Sequence, residues 1–112
     1  MQPHLRSSLD PGSSSGWGLA TADVYGVSPE RLDDPAWLTS RLTRALAGAL
    51  GPFEFRHHRF APGGISLVGT APAARVVVHT WPERSAVTVD LYAVTTEVQP
   101  LLERCVRDLT VT

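Results

Sequence analysis

The sequence predicts an α+β fold: a two-layer αβ sandwich, with an antiparallel sheet carrying two helices on one face and sheets packing in a dimer. Three observations predict it. Runs with strand and helix character follow one another as strand, helix, four strands, helix. Both helical runs place their apolar residues at a spacing of three and four, which gives each one face to bury. The four central runs carry Phe53, Phe55, Phe60, Trp81, Tyr92 and many Val on both faces, so the side of the sheet away from the helices also needs cover.

Taken in order, residues 1–16 (MQPHLRSSLDPGSSSG) are rich in Ser, Gly and Pro and hold few large apolar residues. Such a segment buries too little surface to offset its ordering entropy, so it reads as a disordered tail. Leu19 to Tyr25 is a short strand, closed by Gly26 and a Ser28-Pro29 turn. Asp34 then stands as an N-cap before Pro35 at the first helical position, with Leu38, Leu42, Ala45, Leu46 and Ala49 on one face and Gly51 as the stop. Pro52–Phe60, Ile65–Thr70, Arg75–Trp81 and Ala86–Val94 are strands separated by Pro/Gly or charged turns. Val98, Leu101, Leu102, Cys105 and Leu109 share a face of a C-terminal helix, which puts Cys105 in the core as a small apolar residue. Residues 17–112 form one domain without an internal repeat.

Composition narrows the chemistry. All ten basic residues are Arg, so no Lys amine exists for a Schiff base to a carbonyl substrate or to pyridoxal phosphate. A formal net charge of −1 with scattered Arg gives no basic stripe, which argues against nucleic acid. Apolar runs of four or five residues are far too short to span a membrane. The N-terminus lacks a signal-peptide pattern, and a single Cys forbids an intrachain disulfide; together these predict a cytoplasmic protein. His4, His57, His58 and His79 show no ligand spacing, so no metal is expected.

Four short motifs carry more information: Ala22-Asp23-Val24-Tyr25-Gly26 (ADVYG), His58 to Ser66 (HRFAPGGIS), Val78 to Glu83 (VHTWPE) and Val89 to Tyr92 (VDLY). Together they resemble the short bacterial form of S-adenosylmethionine decarboxylase, a pyruvoyl enzyme. Its order is an AEFYG-like strand, HRFSPQGVSG, an ES doublet, IHTWPE and a DLFTCG strand. The resemblance runs without gaps from about Ala22 to Val94. It implies an αβ sandwich whose sheets pack in a homodimer, with adenine stacked on Phe60 and the ribose hydroxyls held by Glu83. It also implies that Ser66 and His79 assist self-processing and proton movement. Tyr25 and Trp81 are candidates to attract a sulfonium through their ring faces, and Arg84 could clamp a carboxylate.

The sequence departs from the family at the reacting centre. The family makes its cofactor when a Ser hydroxyl attacks the preceding carbonyl and is converted to an N-terminal pyruvoyl group. The ES doublet falls on Ala73-Ala74, and Ala74 has no nucleophile. The catalytic Cys falls on Val94, which has no proton to donate. The expectation is an uncleaved chain with no pyruvoyl, pyridoxal phosphate or metal cofactor. Two readings follow. One is a pyruvoyl-independent protein that binds S-adenosylmethionine or a related nucleoside and catalyses a non-decarboxylating (for example lyase) reaction in specialised metabolism, with His79 and Ser66 catalytic. The other is a non-catalytic partner or allosteric regulator of an active decarboxylase homologue, through a heterodimer in place of a homodimer.

Overall fold

The computed structural model describes residues 16–110 in full and residues 4–9 as backbone. The elements are β1 (His4–Leu9), β2 (Trp17–Tyr25), α1 (Pro29–Leu32), α2 (Pro35–Leu50), β3 (Glu54–Arg59), β4 (Ile65–Ala71), β5 (Ala74–Trp81), a 3₁₀ turn (Pro82–Arg84), β6 (Ala86–Val94) and α3 (Val98–Thr110). The strands form one antiparallel sheet in the order β1-β2-β6-β5-β4-β3.

Side chains two apart on a strand share a face, and the sheet sorts its residues accordingly. Ala74, Val76, Val78 and Thr80 of β5 are buried, as are Ile65 and Leu67 of β4 and Val87, Val89 and Leu91 of β6. Leu38, Leu42 and Leu46 of α2 and Leu102, Cys105 and Leu109 of α3 close over this face to make the core. Among the described residues the opposite face has no such cover: Trp17, Tyr25, Trp81, Tyr92 and Val94 on it are 39–47% exposed.

Local signals explain the boundaries. The Asp34 carboxylate accepts from the backbone N–H groups of Ala36 (3.1 Å) and Trp37 (3.2 Å), two donors that the first turn of α2 leaves unsatisfied. Gly51 ends the helix, its N–H donating to the Ala47 carbonyl at 2.9 Å. Two features differ from the sequence expectation. The Ser28-Pro29 turn continues into the four-residue helix α1, held because Leu32 is fully buried. Within the segment expected to be a tail, His4–Leu9 pairs along β2, with His4 opposite Asp23 and Leu9 opposite Gly18. Edge pairing uses backbone N–H and C=O groups, which a count of apolar side chains does not weigh. The rest of that expected tail, residues 1–3 and 10–15, lies outside the described residues. Among the described residues, no helix is long and apolar enough to cross a membrane.

Cys105 sits in the core between α3 and the sheet, and burial, with a smaller contribution from the Asp108 charge, pushes its thiol up to about 12. Because the folded value lies above the unfolded one, the associated stability is present below pH 9 and is lost as pH rises from about 9 to about 12. Native protein at pH 8 is therefore expected to resist a thiol reagent until denaturant is added. In alkaline melts Cys105→Ala should lose less stability between pH 9 and pH 11 than the parent chain. Rapid modification of the native thiol at pH 8 would contradict the buried placement.

Candidate functional site

Strand register builds the site. On the uncovered face Ser66 of β4 lies opposite His79 of β5, and the two side chains are hydrogen bonded, Ser66 Oγ to His79 Nδ1, at 2.8 Å. Both are half-buried, so the pair is sheltered yet reachable. The neighbouring residue of β5, Thr80, points to the other face and is buried; its hydroxyl accepts from the Ile65 N–H at 2.8 Å. That bond fixes the first residue of β4 one step before Ser66.

The turn leading into β4 is shaped around this contact. Gly64 has φ +109°, and a Cβ there would come within 3.0 Å of the Thr80 carbonyl oxygen. A side chain at position 64 would thus strain the backbone and press against β5. Phe60 donates its N–H to the Gly64 carbonyl at 2.8 Å, and its ring meets His58 edge-on with centroids 4.6 Å apart. At the foot of the same hairpin Arg59 is 2.7 Å from the Asp33 carboxylate. Both partners are about half exposed, so the ion pair contributes at most about 1 kcal/mol and serves mainly to hold the hairpin beside the α1–α2 junction.

A cleft of about 360 Å³ results, lined by Phe60, Gly63, Gly64, Ser66, His79, Trp81 and Glu83, with Ile65 and Thr80 completing it. Phe60 is 48% exposed and Trp81 47%, so two aromatic rings stand open at its walls. A second cleft of about 500 Å³ adjoins it across Trp81 and Glu83, lined by Asp23, Tyr25, Arg84, Ala86, Val87 and Thr88. The turn after β5 joins the two. Ser85, at φ 51°, reverses the chain, and its carbonyl accepts from the N–H groups of Gly26 (2.9 Å) and Val27 (3.1 Å), which ties the end of β2 to the Glu83–Arg84 turn.

This pattern and the chain as a whole point the same way: residues 19–111 match the family model described as S-adenosylmethionine decarboxylase. The chain belongs to the S-adenosylmethionine decarboxylase family. It is 32% identical over 72 residues to the S-adenosylmethionine decarboxylase proenzyme of Hydrogenobaculum sp. (strain Y04AAS1), a match covering 63% of this chain and 54% of that protein. Against the proenzyme of Caldanaerobacter subterraneus subsp. tengcongensis the identity is 31% over 80 residues, covering 70% of this chain and 64% of that protein. The corresponding figures for Parasynechococcus marenigrum (strain WH8102) are 33% over 72 residues, 62% and 56%. The chain thus spans between about half and two thirds of the length of these relatives.

Set against the family motifs, the structure divides the sequence-predicted residues into two groups. Phe60, Ser66, His79, Trp81 and Glu83 meet in one cleft, and Tyr25 and Arg84 stand in the adjoining one. Ala73 and Val94 lie together at the other end of the sheet, where the Val94 N–H donates to the Ala73 carbonyl at 2.9 Å. They line a separate cleft of about 510 Å³ with Leu50, Thr95, Glu97 and Arg104 among others. Ala74 is buried against Ala71 and Ala93. The five-residue step from Ala74 to His79 along β5 spans about 16 Å at the rise of an extended strand. Sequence reasoning did not single out Asp23, Thr88 or Thr80. The first two sit at alternating positions of the ADVYG and VDLY strands, on the His79 face, and Thr80 sits inside HTWPE. Among the described residues, no three of His, Cys, Asp and Glu come together to hold a metal.

Proposed function

We propose that the protein binds S-adenosylmethionine or a related nucleoside in the Phe60–Glu83 cleft and catalyses a non-decarboxylating reaction there without a pyruvoyl group. The observation that carries this reading is the Ser66–His79 hydrogen bond at 2.8 Å, set in a cleft whose walls are exposed aromatic rings and a carboxylate. A nucleobase stacked on an aromatic ring gains about 1–3 kcal/mol. A carboxylate accepting from a vicinal diol adds charge-assisted bonds, each worth less than the about 1.5–3 kcal/mol of a sheltered one because Glu83 is exposed. His79 supplies an acid or base beside the bound molecule, and a sulfonium activates each of its three attached carbons, so placement and a base suffice for elimination or transfer.

The residues at the family's reacting centre do not fit a self-made pyruvoyl group. Ala74 offers a buried methyl where a hydroxyl must attack, and Val94 offers an isopropyl group where a proton donor is needed. No step is therefore assigned to that group, and intact-mass analysis is expected to give one uncleaved chain. Calorimetric titration with S-adenosylmethionine tests the reading. Micromolar binding is expected, weakened about 5- to 150-fold by Phe60→Ala, in line with the loss of one stacked base, and further by adding Glu83→Ala. Mass spectrometry of the mixture then looks for a new product. Absence of binding by folded protein would refute the reading.

The uncovered sheet face favours a second element of the proposal, that two chains pack sheet to sheet as a homodimer. It equally serves the alternative in which the chain is a non-catalytic partner or regulator of an active decarboxylase homologue. Binding without turnover, together with a mixed dimer, would favour that alternative.

A further inference from the structure

A row of polar residues crosses the uncovered face at one level of the sheet. The register sets Ser66 opposite His79, His79 opposite Thr88, and Thr88 opposite Asp23. Two of the three steps are closed by hydrogen bonds, Ser66 Oγ to His79 Nδ1 at 2.8 Å and the Thr88 hydroxyl donating to Asp23 Oδ1 at 3.2 Å. Thr88 spends its one proton on the carboxylate, so its oxygen can act only as an acceptor toward the facing His79. The third step, between His79 and Thr88, is a facing pair without a hydrogen bond, with Cβ atoms about 4.5–5.5 Å apart. With Ser66 donating to Nδ1, the imidazole proton belongs on Nε2.

From this geometry we propose that Ser66 is a nucleophile activated by His79, and that the protein hydrolyses or transfers acyl groups from small esters. The inference goes beyond nucleoside binding and stands whether or not a nucleoside occupies the cleft. A hydroxyl within hydrogen-bond distance of a base is the first thing nucleophilic acyl transfer requires. The remaining requirement is a donor for the developing oxyanion. Gly63 and Gly64 line the same cleft, and their N–H groups have no hydrogen-bond partner among the described residues. Phe60 and Trp81 supply apolar walls for the acyl or alcohol portion.

The reaction balances with water alone. Ser66 Oγ bonds to the carbonyl carbon while its proton passes to His79 Nδ1. The bond from that carbon to the alcohol oxygen breaks, and the alcohol departs with the proton. Water then attacks the acyl-serine, gives a proton to Nδ1 and releases the acid, and the proton returns to Ser66 Oγ.

The test uses the full chain, p-nitrophenyl butyrate as substrate and a fluorophosphonate as covalent probe. A single phosphonyl adduct mapping to Ser66 is expected, together with release of p-nitrophenolate. His79→Gln should slow both by about a hundredfold or more. Asp23→Asn, which touches neither side chain of the pair, should leave the adduct on Ser66. Ser66→Ala should abolish both, and Ser66→Cys, checked by circular dichroism, should be alkylated by iodoacetamide faster than Cys105. Folded protein that gives no adduct, an adduct on another residue, or labelling indifferent to His79→Gln would overturn the proposal. None of these readouts needs a nucleoside, so failure of the nucleoside reading and failure of this one are separately visible.

Discussion

Gly69→Val is expected to lower the melting temperature by about 10–20 °C, corresponding to about 2–3 kcal/mol of overpacking in a domain of this size. Gly69 lies in the middle of β4 on the core side, where a glycine ordinarily weakens a strand. Here it is the seat of an aromatic ring. A Cβ at position 69 would stand 2.6 Å from Cε1 and 2.9 Å from Cδ1 of Phe55, and 2.9 Å from Cγ1 of Val76. Phe55 in turn stacks on Phe53, with ring centroids 5.9 Å apart, and both close the core at the β3 edge. The valine must displace that ring or push β5 away, and each course opens the core. Adding Phe55→Leu should recover part of the loss, so that the double variant is more stable than the sum of the two single changes. Thermal melts of the four proteins measure this coupling. A Gly69→Val variant within about 0.5 kcal/mol of the parent would show that Phe55 does not rest on Gly69.

The Gly69–Phe55 contact also marks where reading the sequence stops. Elements declared by local signals were legible. Asp34-Pro35 announced α2, the four central strands fell within two residues of their observed ends, and α3 followed from its apolar spacing. α1 was not legible, because four residues carry no periodicity and its stability comes from burying Leu32 under the rest of the fold. β1 was hidden for a different reason, since its polar composition says nothing about an open edge on β2 waiting for a partner. In the site, the resemblance brought forward Phe60, Ser66, His79 and Glu83 as members of motifs. The bond between Ser66 and His79 spans 13 positions in sequence and exists only through the β4–β5 register. Asp23 and Thr88, 65 positions apart, required the β2–β6 register as well. Side chains on separate strands become neighbours through pairing, and pairing is a tertiary property that a single sequence states only indirectly.

If two chains pack sheet to sheet as proposed, Tyr92→Arg is expected to leave a monomer of 12.1 kDa without unfolding it. Six strands spaced about 4.8 Å apart and roughly eight residues long present a face of about 29 × 26 Å. The Ser66–His79 level of that face is the cleft, so the contact between chains falls at the opposite end of the strands. Trp17, Tyr92 and Val94 form an apolar end of this face, with Leu19 directly opposite Tyr92 and Arg75 on its other side. The new guanidinium would lie beside Arg75. In the separate chain both charges stay in water, since position 92 is 39% exposed. Between two packed sheets they would be desolvated next to each other, and breaking the interface relieves that cost. Sedimentation should therefore show the parent chain at twice the monomer mass and the variant at the monomer mass. The parent's melting temperature should also rise with protein concentration, whereas the variant's should not. If the parent chain stays monomeric across concentrations, the homodimer fails. The aromatic face would then need a cover of different sequence, and coexpression with an active decarboxylase homologue becomes the deciding experiment, because a mixed dimer sensitive to Tyr92→Arg would assign the face to that partner.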